Sequence, residues 1–310
     1  MRSIFRLIAV LWIAFFICAG CTGSRKNLQE IPPTILTLEP GGAHINRIAL
    51  LLTHTPDTPV GREMGELYVA TLAEAMRNQA DNLRLLTAQD SEIPTFFERL
   101  TGQAQAPSAS FELAAESRQA GYQGWVTARI ENIRATDERT GFLWFRKISH
   151  FILFDLDLVV YDAFTGAKLL DSIVESSVKI TSDEYDAFKS GQWVELESLH
   201  ETVEDLAEGQ GEKAAEVISA QPWRTAVVKV QGDRVFLPAG SRLGLKVGDR
   251  LAVLDARRTI LGQNGEKFIV PGFEVGQIEI VDVKQETSEG KVLGNSGAPI
   301  QAGDTAVAVD

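Results

Sequence analysis

Cysteine is nearly missing from this chain. Two occur in 310 residues, Cys18 and Cys21, and both lie at the end of an apolar run near the start. The folded body downstream therefore has no disulfide and no thiolate ligand, and it must be stable through its core alone. Histidine is scarce too. His44, His54, His150 and His200 are widely separated, and none has a His or Cys neighbour at ligand spacing, so they read as surface or half-buried side chains and no metal is expected. There is no GxSxG elbow, HExxH, phosphate-binding loop or GxGxxG, and no cofactor is expected. Positive charge is in deficit: 30 Lys and Arg stand against 42 Asp and Glu, a net charge of -12. That balance leaves no electrostatic footprint for nucleic acid and would repel anionic headgroups. Apolar content of 45% is that of a globular chain.

What is present begins with a leader. Arg2 and Arg6 form a basic start, and Leu7 to Ile17 an apolar core too short for a confident membrane span. Small residues, Cys18-Ala19-Gly20, precede Cys21. This stretch resembles a bacterial lipoprotein signal, in which a small pair precedes a cysteine that receives a diacylglycerol thioether. The resemblance implies that residues 1–20 are removed and that Cys21 is lipidated at the mature N-terminus. Thr22 in place of aspartate implies outer-membrane sorting, facing the periplasm. Two alternatives stay open: an ordinary secretory signal leaving Cys21 a free thiol, and a CxxC site, which would need a soluble βαβ context that an apolar leader lacks. Residues 21–44 then form a lipidated start and tether.

Residues 46 to 53, NRIALLLT, read as a buried strand, and Thr58-Pro59 as an N-cap with proline at the first helical position. Met64, Leu67, Tyr68, Thr71, Leu72, Ala75 and Met76 recur at helical spacing. Leu83 to Leu86 reads as a strand, 102 to 110 as a loop, and Phe111 to Ala120 as a short helix. Phe154, Leu156, Leu158 and Val160 share one face of a strand, with Asp155 and Asp157 on the other. That pair has no glycine-bearing acidic loop beside it, so it reads as a solvated sheet face rather than a calcium site. Ser172 to Ile180 is the partner strand. Residues 195 to 220 read as helix, with Gly209-Gln210-Gly211 expected to break or kink it. From Arg224 on, short strands alternate with glycines, as in a small barrel or sandwich, and QIEIVDV predicts a bulge near Ile280 or burial on both faces.

The segment GFLWFRKISHFILF, 141 to 154, concentrates Phe142, Trp144, Phe145, Phe151 and Phe154. IENIRATDERTG before it is placed to pair with it across a turn at Asp137 to Gly141. Phe142, Trp144, Phe145 and Phe151 are therefore interface candidates, for a protein or a membrane, against the alternative of a core-packed hairpin.

Two blocks resemble known families. IALLLT, GELYVATLAEAM, GYQGWVTARI and LDLVVYDAFTGAKLLDS, ending in Asp162, Thr165, Gly166 and Leu169, resemble the α/β unit shared by the TolB amino-terminal domain, the curli-secretion lipoproteins and the middle domain of flagellar assembly protein T. The block with Gly240, Gly244, Gly248-Asp249 and Gly303-Asp304 resembles the carboxy-terminal domain of flagellar assembly protein T. The resemblance implies an α+β protein: an α/β sandwich over 45–222, then a small all-β SH3-like barrel over 223–310. It also implies a structural protein, not an enzyme, at the outer membrane. The implied partners are envelope proteins, flagellar basal-body ring components among them, with self-association left open and no nucleic acid. The rival readings are an oligomeric curli-type secretion channel and, less favoured, an envelope hydrolase using His150 or Asp157.

Overall fold

Asn46–His54 forms strand β1, the run its apolar residues predict, and it pairs in parallel with β2 (Leu83–Thr87). Between them runs α1 (Pro59–Gln79), capped as expected: Gly61 N donates to Thr58 Oγ1 at 3.0 Å, and Pro59 stands in the first turn. The computed structural model describes residues 44–100, 109–142, 144, 147–191, 196–296 and 298–309, all in the unit Leu38–Asp310. The leader, Cys21 and most of the 102–110 loop lie outside them.

Three long strands complete the first sheet. They are β3 (Gly124–Thr140), β4 (Lys147–Asp162) and β5 (Lys168–Ile180), and the order is β2-β1-β3-β4-β5. Only β1 with β2 and with β3 is parallel; β3, β4 and β5 form an antiparallel meander. The period of two in β4 sends Phe154, Leu156, Leu158 and Val160 into one buried core. On that face lie α1 and α4 (Glu197–Ser219). A 3₁₀ turn (Thr95–Leu100) and α2 (Ala109–Gln119) cover the other face beside Trp125 and Tyr161, whose rings stack at 4.9 Å. A short helix, α3 (Ser182–Lys189), follows β5 behind a capping box of Thr181 and Glu184.

One expectation fails here. Gly209-Gln210-Gly211 neither breaks nor kinks a helix, because α4 runs through it without interruption. The reason is packing. A Cβ on Gly211 would stand 2.7 Å from Ala75 Cβ and 3.0 Å from Leu72 O, so glycine lets α4 approach α1 closely. Gln210 beside it is buried and polar, and it is satisfied: Tyr68 Oη donates to its Oε1 at 2.6 Å, and its Nε2 donates to Ser172 O at 3.2 Å. The helix propensity that glycine lacks is outweighed by the contact it permits.

From Arg224 the chain builds a seven-stranded sheet in the order β6 (Arg224–Ala226), β14 (Thr305–Ala308), β9 (Arg250–Leu254), β12 (Glu274–Val283), β13 (Ser288–Asn295), β8 (Arg234–Leu237), β7 (Lys229–Gln231). The sheet curls into a half-barrel around Trp223, Val235, Leu251, Val253, Ile278 and Ala306. Its edge strands, β6 and β7, are separated by Val227 and Val228 alone. The half-barrel is what the strands form; the expected closure as an SH3-like barrel is not established by it. The register of β12 against β13 shifts between Ile280 and Asp282, where the slipped alternation of QIEIVDV predicts a bulge. A two-stranded ribbon, β10 (Thr259–Leu261) with β11 (Lys267–Ile269), stands apart from this sheet.

Gly211 and Gly209 provide a paired test. Gly211→Ala is expected to destabilise by roughly 1–3 kcal/mol through overpacking. Gly209→Ala meets nothing within 4 Å and is expected to stabilise by about 0.5–1 kcal/mol through helix propensity. Urea denaturation of both variants reads the two signs.

Candidate interaction surface

The register of β3 and β4 builds an arm. Strand β1 leaves β3 at Arg129, and β5 leaves β4 at His150. Beyond that point β3 and β4 pair only with each other, Glu138 with Ser149, Arg139 with Ile148 and Thr140 with Lys147. The three pairs carry the hairpin about 10 Å past the sheet. Asn132 begins the departure. Its φ of 58° accompanies one extra residue in β3 between Glu131 and Arg134, and its amide donates to Asp155 Oδ2 at 2.5 Å. The turn lies past Thr140, later than the Asp137–Gly141 expected.

At the tip Phe142 is 78% exposed and Trp144 88%. The core-packed alternative therefore fails for both. Phe151 is half-buried and Phe154 wholly buried, so the expected aromatic cluster splits between tip and core. Phe145 lies outside the described residues. On β3 the stalk is polar on both faces, with Thr136, Glu138 and Thr140 alternating with Asp137 and Arg139, while on β4 Ile148 opposite Arg139 is half exposed. Asp137 takes a 3.5 Å ion pair from Arg139.

The titratable groups picked out by the sequence stay dispersed. His44 stacks on Trp223, His54 is exposed, His150 lies 4.3 Å from the Tyr185 ring, and His200 Nε2 is 3.3 Å from Glu63. Among the described residues no three His, Cys, Asp or Glu are grouped to hold a metal. No helix among them is long and apolar enough to cross a membrane. Asp155 and Asp157 share the outer face of β4, but that face is half-buried rather than fully solvated. Asp157 Oδ1 is buried and takes no hydrogen bond. Burial above all raises its carboxyl above the ordinary range; Arg129 opposes this, while Asp171 and Glu131 add to it.

Two polar links between the α/β part and the half-barrel were not singled out in the sequence. Asp162 closes the turn after β4 by accepting from Thr165 Oγ1 at 2.6 Å and Phe164 N at 3.1 Å, with Gly166 at φ 76°. The same buried carboxylate accepts from Arg224 Nη2 of β6 at 2.9 Å. The second link is an ionic cluster. Glu286 contacts Arg47, Arg84 at 3.3 Å and Arg242 at 2.7 Å; Glu92 contacts Arg84 at 2.5 Å and Arg242 at 3.4 Å. Burial pushes Glu286 upward, yet the three guanidiniums outweigh it and hold its carboxyl below the usual range. Beside them a cavity of about 350 Å³ is lined by Tyr122, whose hydroxyl burial above all pushes up to about 12.

Comparison with known proteins finds likeness among solved structures alone. No family model and no curated protein match the chain. Among solved structures it is similar to a PelC dodecamer from Paraburkholderia phytofirmans, at 12% identity over 60% of this chain and 95% of that one, TM-score 0.29. A minor lipoprotein from Acinetobacter baumannii matches at 8% identity over 55% and 93%, TM-score 0.27. TolB from the same organism matches at 11% identity over 84% of this chain and 51% of its own, TM-score 0.30. TM-scores this low make these likenesses only.

Two measurements test this description. Arg224→Ala leaves Asp162 buried without its cation and is expected to destabilise by about 3–5 kcal/mol. Asp157 works in the opposite sense. Its raised carboxyl means that ionisation weakens the fold above the native pKa, and the penalty disappears as pH falls below the unfolded value of about 4. Asp157→Asn is therefore expected to raise stability at neutral pH and to confer no gain at acid pH, read by denaturation across that range.

Proposed function

We propose that this chain is a non-enzymatic, lipid-anchored periplasmic protein that supports assembly of an envelope machine, with the flagellar basal body the first candidate. The observation that carries the reading is the arm: two exposed aromatics on a stalk, held out from a body whose two parts are joined by buried and partly buried ion pairs, which suits a protein that reaches another component of the envelope, protein or lipid. The body serves as a rigid mount, and the half-barrel, read as an SH3-like module, adds a second surface. Cys21 supplies the anchor through its thioether, and residues 22–43 the tether. Two or more acyl chains hold a protein at a membrane stably.

The secretion-channel reading fits the same hairpin less well. A transmembrane strand needs about 9–11 residues with one face apolar throughout. Asp137, Glu138 and Arg139 put charge on both faces of the stalk, each costly in hydrocarbon.

A deletion strain is expected to lose swimming in soft agar and filaments in electron micrographs. Wild type restores both, and Cys21→Ala restores neither. A deletion strain that swims and bears filaments would overturn the flagellar assignment, and pull-downs of the lipoprotein would then identify the envelope assembly it serves.

A further inference from the structure

We propose that the tip of the β3–β4 arm is a second, shallow contact with a lipid bilayer, seated among the headgroups. The inference rests on the envelope location proposed above, but not on which machine the protein serves.

Size decides first between a protein and a lipid surface. The exposed apolar side chains described at the tip are Phe142, Trp144 and Ile148, the last 50% exposed. Buried aromatics cover about 150–250 Å² each, so the group offers roughly 500 Å². A standard protein interface takes about 800 Å² and some 20–30 residues from each partner. The polar β3 side of the stalk does not extend the apolar patch. Interfacial insertion has no such standard size, because it scales with apolar area plus attraction to headgroups.

Charge and residue type point the same way. The heptapeptide 141–147, GFLWFRK, holds two cations and no carboxylate within a chain of net charge -12. Aromatic rings at the headgroup level beside Lys and Arg are the composition of a membrane interface. Depth is limited by Asp137 and Glu138, which keep the stalk in water. Reach permits the contact. The tip lies at the end of the first sheet opposite His44, because β3 runs parallel to β1 and away from it. The 17 residues of β3 span about 55 Å. The separation from Cys21 to His44 can extend to about 80 Å. One bilayer can hold both the anchor and the tip.

The test uses the mature lipidated protein reconstituted into vesicles of phosphatidylethanolamine and phosphatidylglycerol in equal parts, with and without brominated acyl chains. Trp125 and Trp223 are buried at 0% and 2% exposure, so bromine does not reach them. The emission difference between wild type and Trp144→Phe isolates Trp144, since every other tryptophan cancels. Quenching of that difference by brominated lipid is the expected result, with loss of the quenching in Phe142→Ser, which leaves the fluorophore in place. Equal emission with both lipids would overturn the proposal. So would a photo-crosslinker at Phe142 that in cells yields a protein adduct while Trp144 stays unquenched, which would assign the tip to a protein pocket. Unquenched Trp144 in a protein whose deletion abolishes swimming removes the lipid contact and keeps the assembly role. Quenched Trp144 in a protein whose deletion leaves swimming intact does the reverse.

Discussion

The buried pair of Asp162 and Arg224 is the constraint on which the rest of the molecule depends. Asp162 ends β4, the last strand position before the chain must turn back as β5, and Arg224 opens β6, the first strand of the half-barrel. One carboxylate therefore closes the turn by accepting from Phe164 and Thr165 and also fixes where the second sheet begins. Two ions taken out of water are costly unless their remaining lone pairs and protons are used. Asp162 meets that condition with its turn bonds. The Arg224 guanidinium also lies 4.9 Å from the Phe164 ring. Such a pair contributes less to net stability than to a single arrangement of its neighbours, since any other placement of β6 leaves a buried charge alone. The Glu286 cluster repeats the logic at lower intensity. Its members are partly exposed, so its energy is reduced by solvent, but it draws on β1, β2 and both sides of the junction.

Packing on the inner face sets the direction of the arm. The close approach of α4 to α1 at Gly211 and the Tyr68–Gln210–Ser172 chain hold both helices over the middle of the sheet. That cover stops short of the β3–β4 turn, and β1 and β5 stop there too. The two strands continue alone. The extra residue at Asn132 breaks the register of β3 against β4, and a bulge of this kind raises the local twist. A hairpin without a third strand is marginal in water, and this one draws its order from the long paired portion below.

Much of this was legible in the sequence. The period of two in Phe154–Val160, the Thr58-Pro59 start of α1, the turn glycine Gly166 and the slip in QIEIVDV are local signals, and each has its expected local consequence. The reading failed where a distant partner overrules a local preference. Glycine at 211 is a helix breaker by propensity and a helix contact in the fold, and only Leu72 and Ala75, more than a hundred positions away, decide between them. Arg47 in an apolar strand and Arg224 before TAVVKV carried no sign of their carboxylates, because an ion pair of long sequence separation leaves no spacing to read. The aromatic segment gave its composition but not its division. Whether a given ring lies at the tip or in the core depends on where β3 and β4 begin to pair alone, and that is a property of β1 and β5.

The open strand edges of the first sheet are guarded by charge and irregularity. β5 is an edge of thirteen residues and β3 is free along its upper half, and such edges invite pairing with other chains. Along β5 the outward face carries Asp171, Glu175 and Lys179 around the exposed Ile173, with Lys168 tied to Asp171 at 2.7 Å, and on β3 the bulge and the charges from Arg134 to Arg139 do the same. Charge and irregularity on an edge raise the cost of a foreign strand, because each added pair would have to desolvate an ion. Both edges are therefore poor templates, and the unpaired backbone stays hydrated. The tip lacks this protection: it carries large apolar surface, two cations and no acid. Within the first sheet, charge and irregularity thus mark the open edges, and the exposed aromatics Phe142 and Trp144 stand where the hairpin turns.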